Sequence, residues 1–199
     1  PGLVCVLSGM NEAVLALGVL EVFDSKAGSD YFDRWGIPYG ICLRKVLEEA
    51  KTIDEARKVL LGMKRTTTIN VAIADRDHVA VLEITPDQVV RRSSVDGFCC
   101  TTNHFCTSDL KAARPANITR TFERFDRLNS IKTKKGLLKP EDLRTHLDAV
   151  NLGTLTLQSM VFEPRTLKLH LSIGKVPASS QPMQTIDLSD YLKKNTDRR

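Results

Sequence analysis

Hydrophobic positions along the chain switch repeatedly between the spacing of strands and the spacing of helices. An apolar run extends to Leu7, residues 8–12 form a polar turn, and a second apolar run covers residues 14–23. Two such runs joined by a turn predict a β-hairpin in which one strand is well buried. The polar stretch 24–36 that follows predicts a loop with aromatic insertions.

From Ile37 onward the apolar residues recur at helical spacing. The first stripe comprises Tyr39, Leu43, Val46, Leu47 and Ala50, and Pro38 is tolerated in a first turn. Residues 52–55 form a capping box that predicts the start of a second helix. Its buried stripe comprises Ala56, Val59, Leu60 and Met63.

Strand patterns return over residues 69–74, 79–84, 88–92 and 98–102, with a turn at 75–78. Helices are predicted at 117–131 and 141–150, and a last strand pair at 154–162 and 167–173. The buried stripe of the helix at 117–131 is predicted to comprise Ile118, Phe122, Phe125 and Leu128. Helices in consecutive pairs between groups of strands predict an α+β fold with antiparallel sheets.

Composition limits the classes of protein that remain. The 199 residues are 42% hydrophobic and 27% charged, which predicts one globular domain over residues 1–192 and a basic, disordered tail at 193–199. The net charge is +5, but the basic clusters at 132–135 and 193–199 carry no aromatic residues, so no nucleic-acid partner is expected. No apolar run approaches the roughly 18 residues of a membrane span, so no membrane partner is expected.

Five cysteines without the spacing of a disulfide scaffold favour a reducing, cytoplasmic compartment. The dense segment 99–106 allows a zinc alternative through Cys99, Cys100, His104 and Cys106. However, adjacent Cys99 and Cys100 would point to opposite faces of a strand, and the chain has no CxxC pair. Neither a metal nor another cofactor is therefore expected.

The strongest candidate for chemistry is Asn103, which follows the apolar strand predicted at residues 98–102. A side-chain amide held at the end of a rigid strand can donate to an oxyanion. The alternative is that Asn103 only caps the strand.

Several segments resemble one family in their order along the chain. They are Gly9-Met10-Asn11-Glu12 with the strand to Phe23, the helix start at residues 53–56, Thr102-Asn103-His104-Phe105, and the closing hairpin at 158–174. Together these segments are similar to the acyl-CoA:6-aminopenicillanate acyltransferase-like family of N-terminal-nucleophile (Ntn) hydrolases. Bile-salt hydrolases and penicillin V acylases are more distant relatives.

The resemblance implies a four-layer αββα sandwich and an autoproteolytic amidase or acyltransferase acting on linear amides. A cysteine that self-cleavage makes N-terminal would attack the carbonyl, Asn103 would stabilise the oxyanion, and Arg120 would keep the nucleophile's surroundings positive. The alternative for Arg120 is a solvated charge on the helix surface. His104 is expected to pack rather than to orient Asn103, and Asn11 to serve the turn.

Two departures from the family pattern limit this hypothesis. Glu21 stands where bile-salt hydrolases carry a site asparagine, which argues against bile-salt specificity. None of the five cysteines occupies the nucleophile position, so the nucleophile and the missing first strands are expected upstream of Pro1. The expected partners are therefore a small amide or acyl substrate, an N-terminal segment or fragment of the same protein, and a second copy in a homo-oligomer.

Two hypotheses remain open after these departures. The first is the enzyme, with Tyr31, Phe32 and Trp35 of the loop 24–36 forming a substrate wall. The second is a catalytically silent scaffold or binding subunit that keeps the Ntn fold.

Overall fold

A computed structural model describes residues 4–26, 32–133 and 137–193 of the chain. The chain divides into two compact units, Pro1–Phe122 and Glu123–Arg199. No helix in the described residues is both long and apolar enough to cross a membrane. The prediction of a single domain over residues 1–192 stays a prediction, and most of the predicted basic tail lies outside the described residues.

The first unit is built on an antiparallel sheet of five strands whose order follows the chain. The strands are β1 (Ser8–Met10), β2 (Ala16–Glu21), β3 (Ile69–Ala74), β4 (Val79–Ile84) and β5 (Val89–Ser93). Two helices, α1 (Tyr39–Glu49) and α2 (Ile53–Leu61), lie between β2 and β3 in the chain. The predicted strand–helix–helix–strand order is confirmed for this unit.

The core of the first unit lies between the two helices and one face of the sheet. Side chains alternate across a strand, so Ile69, Val71 and Ile73 of β3 join this core. The opposite face of the same sheet carries two polar side chains with no exposed surface, Asn70 on β3 and Glu83 on β4. These two residues interrupt strands that are otherwise almost entirely apolar.

Both helices form where the spacing predicts them. Leu43 and Val46 of α1 have no exposed surface, and Cys42 packs with them as a small apolar residue. The Thr52 hydroxyl caps α2 by accepting the Glu55 N–H at 3.2 Å. The predicted stripes of α1 and α2 are therefore confirmed.

The first hairpin exists, but its first strand lies further along the chain than predicted. Residues 4–7 form no strand, because Val6 donates its N–H to Gly40 at the start of α1. β1 instead occupies part of the predicted turn. The buried Asn11 side chain organises the real turn, since it accepts the Leu15 N–H and donates to Leu47 and Ala50. Asn11 therefore serves the turn, as expected, and also ties it to α1.

The prediction of a strand at residues 98–102 is wrong. Apart from one isolated bridge between Val95 and Phe98, this segment pairs with no strand among the described residues. Side chains satisfy its carbonyls instead, because Arg92 donates to Cys100 and Asn70 donates to Thr102. Its apolar residues 98–100 are half-buried, Thr101 and Thr102 are buried, and the segment is an ordered loop on the polar face of the sheet.

The second unit contains an antiparallel sheet of three strands, β6 (Gln158–Glu163), β7 (Lys168–Ile173) and β8 (Gln184–Asp187). The helices of the later half of the chain are α3 (Thr121–Asn129), α4 (Pro140–Asp148) and α5 (Ser189–Lys193). No strand is predicted at β8, which is short and has one apolar residue, Ile186, opposite Leu169 of β7. The α+β class with antiparallel sheets is confirmed.

The buried stripe predicted for the helix at 117–131 is partly wrong. A short 3₁₀ turn, Ile118–Arg120, precedes α3, and the kink between them leaves Ile118 44% exposed. Phe122, Phe125 and Leu128 are half-buried, but Thr121 is fully buried. Thr121 lies outside the predicted stripe, yet its hydroxyl is used inside the protein.

Candidate active site

Asn103 lies in the loop on the polar face of the first sheet, and both its main chain and its side chain are anchored. Its side-chain Nδ2 donates to the main-chain oxygen of Glu21 at 2.8 Å. Its N–H donates to the hydroxyl of Thr121, also at 2.8 Å. The half-buried amide is thus a preorganised donor at the end of β2.

A buried cluster of two threonine hydroxyls and one imidazole lies next to Asn103 and binds its main chain. The Thr121 hydroxyl lies 2.9 Å from the Thr102 hydroxyl and 2.9 Å from Nδ1 of His104. The Thr102 hydroxyl in turn donates to the Thr121 carbonyl at 2.9 Å. The His104 ring packs against Phe122 with ring centroids 4.5 Å apart. His104 therefore packs and also contacts the hydroxyl that holds the Asn103 N–H.

Glu21 places a carboxylate next to the anchor of Asn103. The hydroxyl of Tyr39, at the start of α1, lies 3.3 Å from the Glu21 carboxylate. Burial, together with the negative charge of Glu21, raises the pKa of Tyr39. Tyr39 is thus a neutral hydrogen-bond donor at physiological pH.

Three residues that hold the Asn103 loop are not among the predicted site residues: Asn70, Glu83 and Thr121. Asn70 binds the carbonyls on both sides of Asn103, and Glu83 accepts main-chain N–H groups from Cys106 and Thr107. A usable signal exists for the first two, because a lone polar residue in an apolar strand must find a partner. Thr121 gave no comparable signal in a helix rich in polar residues.

Arg120 immediately precedes Thr121, and its side chain is exposed. It forms no hydrogen bond or ion pair with any residue that the structure describes. Its main chain has a φ of +53°, and Thr119 before it has a φ of +57°. Such values strain residues with a Cβ, and strain of this kind often accompanies functional sites. The catalytic role of Arg120 stays a prediction.

The predicted substrate wall is only partly described. Phe32 and Trp35 are 58% and 73% exposed, whereas Tyr31 lies outside the described residues. Their segment is fixed to the chain before β3, since Phe32 bridges to Thr67 and Asp33 donates its N–H to Thr66 at 2.7 Å. The two aromatic side chains therefore stand exposed on an anchored backbone.

Burial raises the pKa of four cysteine thiols in the described residues. For Cys100, where nearby Arg92 only partly offsets burial, the pKa rises to about 11. Burial also dominates at Cys42, Cys99 and Cys106. In the part of the chain that the structure covers, no three His, Cys, Asp or Glu side chains are grouped to hold a metal ion.

A family model described as acyl-coenzyme A:6-aminopenicillanic acid acyl-transferase matches residues 6–175. None of the curated proteins compared in sequence matches the chain.

Among solved structures, a variant of conjugated bile acid hydrolase from Clostridium perfringens is similar, with a TM-score of 0.65 and 16% identity over 94% of this chain and 74% of that one. Penicillin V acylase from Agrobacterium tumefaciens has a TM-score of 0.55 and 17% identity over 93% of this chain and 67% of that one. At these identities the likeness shows the fold.

Proposed function

The chain belongs to the acyl-coenzyme A:6-aminopenicillanic acid acyl-transferase family, and we propose that it acts as an amide hydrolase or acyltransferase through an acyl-enzyme on an N-terminal cysteine. The resemblance to Ntn hydrolases is confirmed by the family match and by the similar structures. The observation that carries the proposal is the anchored amide of Asn103. It is the kind of group that such a reaction requires for its oxyanion.

In the proposed reaction, the cysteine is exposed by self-cleavage and lies on a segment upstream of this chain. Its α-amine, with an ordinary pKa of about 7.7–8.0, accepts the thiol proton near neutral pH. The thiolate then attacks the amide carbonyl, and the carbonyl oxygen becomes an oxyanion that accepts a hydrogen bond from Nδ2 of Asn103. Collapse of this intermediate breaks the C–N bond, and the amine leaves with the proton.

The second half of the reaction transfers the acyl group from the thioester to water or to an acceptor amine. Arg120 supplies positive charge next to Thr121, whose hydroxyl accepts the Asn103 N–H. This charge would favour the thiolate over the thiol. Tyr31, Phe32 and Trp35 are proposed to contact the acyl group. The exposure of Phe32 and Trp35 supports this role. A homo-oligomer stays a prediction.

The proposal can be tested on the full-length protein, expressed with the residues encoded upstream of Pro1. We expect intact mass and N-terminal sequencing to reveal self-cleavage before a cysteine. Penicillin V and a conjugated bile acid, the substrates named by the similar structures, serve as first probes. Amide hydrolysis is followed by the release of a primary amine. Acid quenching during turnover should trap an acyl group on the new N-terminal peptide.

Two results would contradict the proposal. Hydrolysis without an N-terminal cysteine would require another nucleophile. A folded, uncleaved protein that neither hydrolyses the probes nor reacts with a thiol reagent at its N-terminus would support the silent scaffold instead.

A further inference from the structure

We infer that Asn70 is a positioning residue for Asn103, an inference that rests on the proposed function. Asn70 lies within β3, has no exposed surface and points to the face opposite the apolar core. Its Nδ2 donates to the carbonyl of Thr102 at 2.9 Å and to the carbonyl of His104 at 2.8 Å. These carbonyls belong to the residues on either side of Asn103. One side chain thus binds the main chain on both sides of the proposed oxyanion donor.

This contact fixes the direction in which Asn103 points. The two N–H groups of the amide hold the residues before and after Asn103, and the Thr121 hydroxyl holds the Asn103 N–H itself. With the main chain fixed at three points, Nδ2 reaches the Glu21 carbonyl without rearrangement. An oxyanion donor is effective only when it is held in place before the charge develops.

The rest of the Asn70 side chain is not arranged for stability. Its Oδ1 is buried and accepts no hydrogen bond from any described group. An unpaired buried acceptor opposes folding, and an apolar residue would fill the same position without this penalty. The residue is therefore better explained by what its amide nitrogen holds than by its contribution to the core.

Glu83 lies directly opposite Asn70 in the pairing of β3 with β4, and it binds the next part of the same loop. Its Oε1 accepts from the Cys106 N–H and from Nε of Arg92, at 3.0 and 3.1 Å. Its Oε2 accepts the N–H and the hydroxyl of Thr107, at 3.0 and 2.8 Å. Asn70 and Glu83, neighbours in the sheet, therefore together hold the main chain of residues 102–107.

Asn11 provides a matched control within the same unit. It is also a buried asparagine whose Nδ2 donates to two main-chain carbonyls, those of Leu47 and Ala50, at 3.0 and 2.8 Å. These bonds hold a hairpin turn to α1 rather than the Asn103 loop. Asn11→Ala therefore removes two donated hydrogen bonds, as Asn70→Ala does, and also the bond that Asn11 accepts from the Leu15 N–H, without releasing the loop.

The test measures hydrolysis of penicillin V by the full-length protein, or of the conjugated bile acid if only that probe is cleaved. The native protein is compared with four variants: Asn70→Ala, Asn11→Ala, Asn103→Ala and the Asn70→Ala/Asn103→Ala double variant. We expect Asn70→Ala to lower kcat by about 10–100-fold, since small misplacements have effects of this size, with KM changed much less. Asn11→Ala should keep kcat within about 2-fold at a similar loss of stability. The double variant should be no slower than Asn103→Ala, because the two residues act through one group.

Asn70→Asp keeps the volume and covers the case in which the alanine variant does not fold. An ionised carboxylate cannot donate to the two carbonyls, whereas the protonated acid donates one hydrogen bond. Activity of Asn70→Asp relative to the native protein should therefore rise as the pH falls. Hydrogen exchange of residues 101–108 should be faster in both Asn70 variants and unchanged in Asn11→Ala.

The inference is overturned if Asn70→Ala loses no more kcat than Asn11→Ala, or if the losses of the Asn70 and Asn103 variants multiply. It is also overturned if Asn70→Asp follows the pH profile of the native protein. A different result separates the proposed function from this inference. If Asn103→Ala itself retains full turnover, the oxyanion role fails, whatever Asn70 does.

Discussion

The side-chain amide of Asn103 is bound to the main-chain carbonyl of Glu21, at 2.8 Å. The two residues are far apart in the chain, so this bond joins the loop on the polar face to the end of β2. Because the acceptor is a backbone atom of a strand, the position of the amide depends on the sheet and not on the Glu21 side chain.

Asn103→Ala should therefore affect catalysis far more than folding. Loss of one oxyanion donor lowers kcat by about 10²–10³-fold, while loss of one half-buried hydrogen bond lowers the free energy of unfolding by about 1 kcal/mol. Glu21→Ala keeps the anchoring carbonyl and should lower kcat much less than Asn103→Ala. Steady-state kinetics and urea unfolding of both variants provide the comparison. Equal losses of activity and stability in Asn103→Ala would favour a structural cap.

Arg120→Ala should leave folding almost unchanged, because the side chain is exposed and has no partner among the described residues. Surface substitutions of this kind change stability by about 0.5 kcal/mol or less. If Arg120 keeps the nucleophile's surroundings positive, its loss should raise the pKa of the nucleophilic thiol. The acidic limb of the kcat/KM profile should then shift to higher pH.

Thr119→Gly serves as the control for Arg120. It removes a β-branched side chain at a φ of +57° without changing charge, so it should not shift the pH profile. If Arg120→Ala retains the native profile as well, Arg120 is a solvated surface charge.

The sequence predicted most of the first unit because local signals agree with the final packing there. Stripes at helical spacing gave α1 and α2, and the apolar runs gave β3 and β4 with their actual boundaries. The connection 24–36 was also predicted as a loop, although its central residues lie outside the described ones.

Elements shaped by side-chain contacts from distant residues could not be predicted. The segment 98–102 has the pattern of a strand, yet Asn70 and Arg92 occupy its carbonyls. Thr121 has the pattern of a surface position, yet it binds the main chain of Asn103. The sequence thus predicts Asn103 as the candidate oxyanion donor, but not the residues that hold it.

Gly36→Ala should destabilise the protein, because a Cβ at this position would lie 2.2 Å from the main-chain carbonyl carbon of Arg65. Overpacking of this kind typically lowers the free energy of unfolding by about 1–3 kcal/mol. Gly62→Ala is the matched control, since its nearest neighbour would be 3.5 Å away and its backbone is helical. Thermal unfolding of both variants tests the prediction. Equal melting temperatures would show that the chain at Gly36 moves away from Arg65.

Asp75 should make the free energy of unfolding depend on pH in the acidic range. Burial alone would raise the pKa of this carboxyl, but N–H groups of Asp77, Ile53 and His78 donate to it and hold the pKa below its ordinary value of 3.8. A folded pKa below the unfolded one stabilises the protein above the unfolded value, and the stabilisation disappears as the pH falls through the folded value.

Replacing Asp75 should remove this part of the pH dependence. Asp75→Ala should lower the free energy of unfolding by about 1–3 kcal/mol at pH 7 and by much less near pH 2. Asp77→Asn, an exposed change in the same turn, is the control. Urea unfolding at several pH values gives the measurement. A loss that stays the same at every pH would rule out an ionised Asp75 as the source.

Cysteine reactivity should separate the four thiols with a raised pKa from the proposed nucleophile. With a pKa of about 11, only about one Cys100 thiol in a thousand is ionised at pH 8, and burial acts in the same direction at Cys42, Cys99 and Cys106. Brief iodoacetamide treatment of the folded full-length protein, followed by peptide mass spectrometry, should label these four slowly and an upstream N-terminal cysteine quickly. In denaturant the four should react at ordinary rates. Rapid labelling of Cys100 or Cys106 in the folded protein, with loss of activity, would instead place the nucleophile beside Asn103.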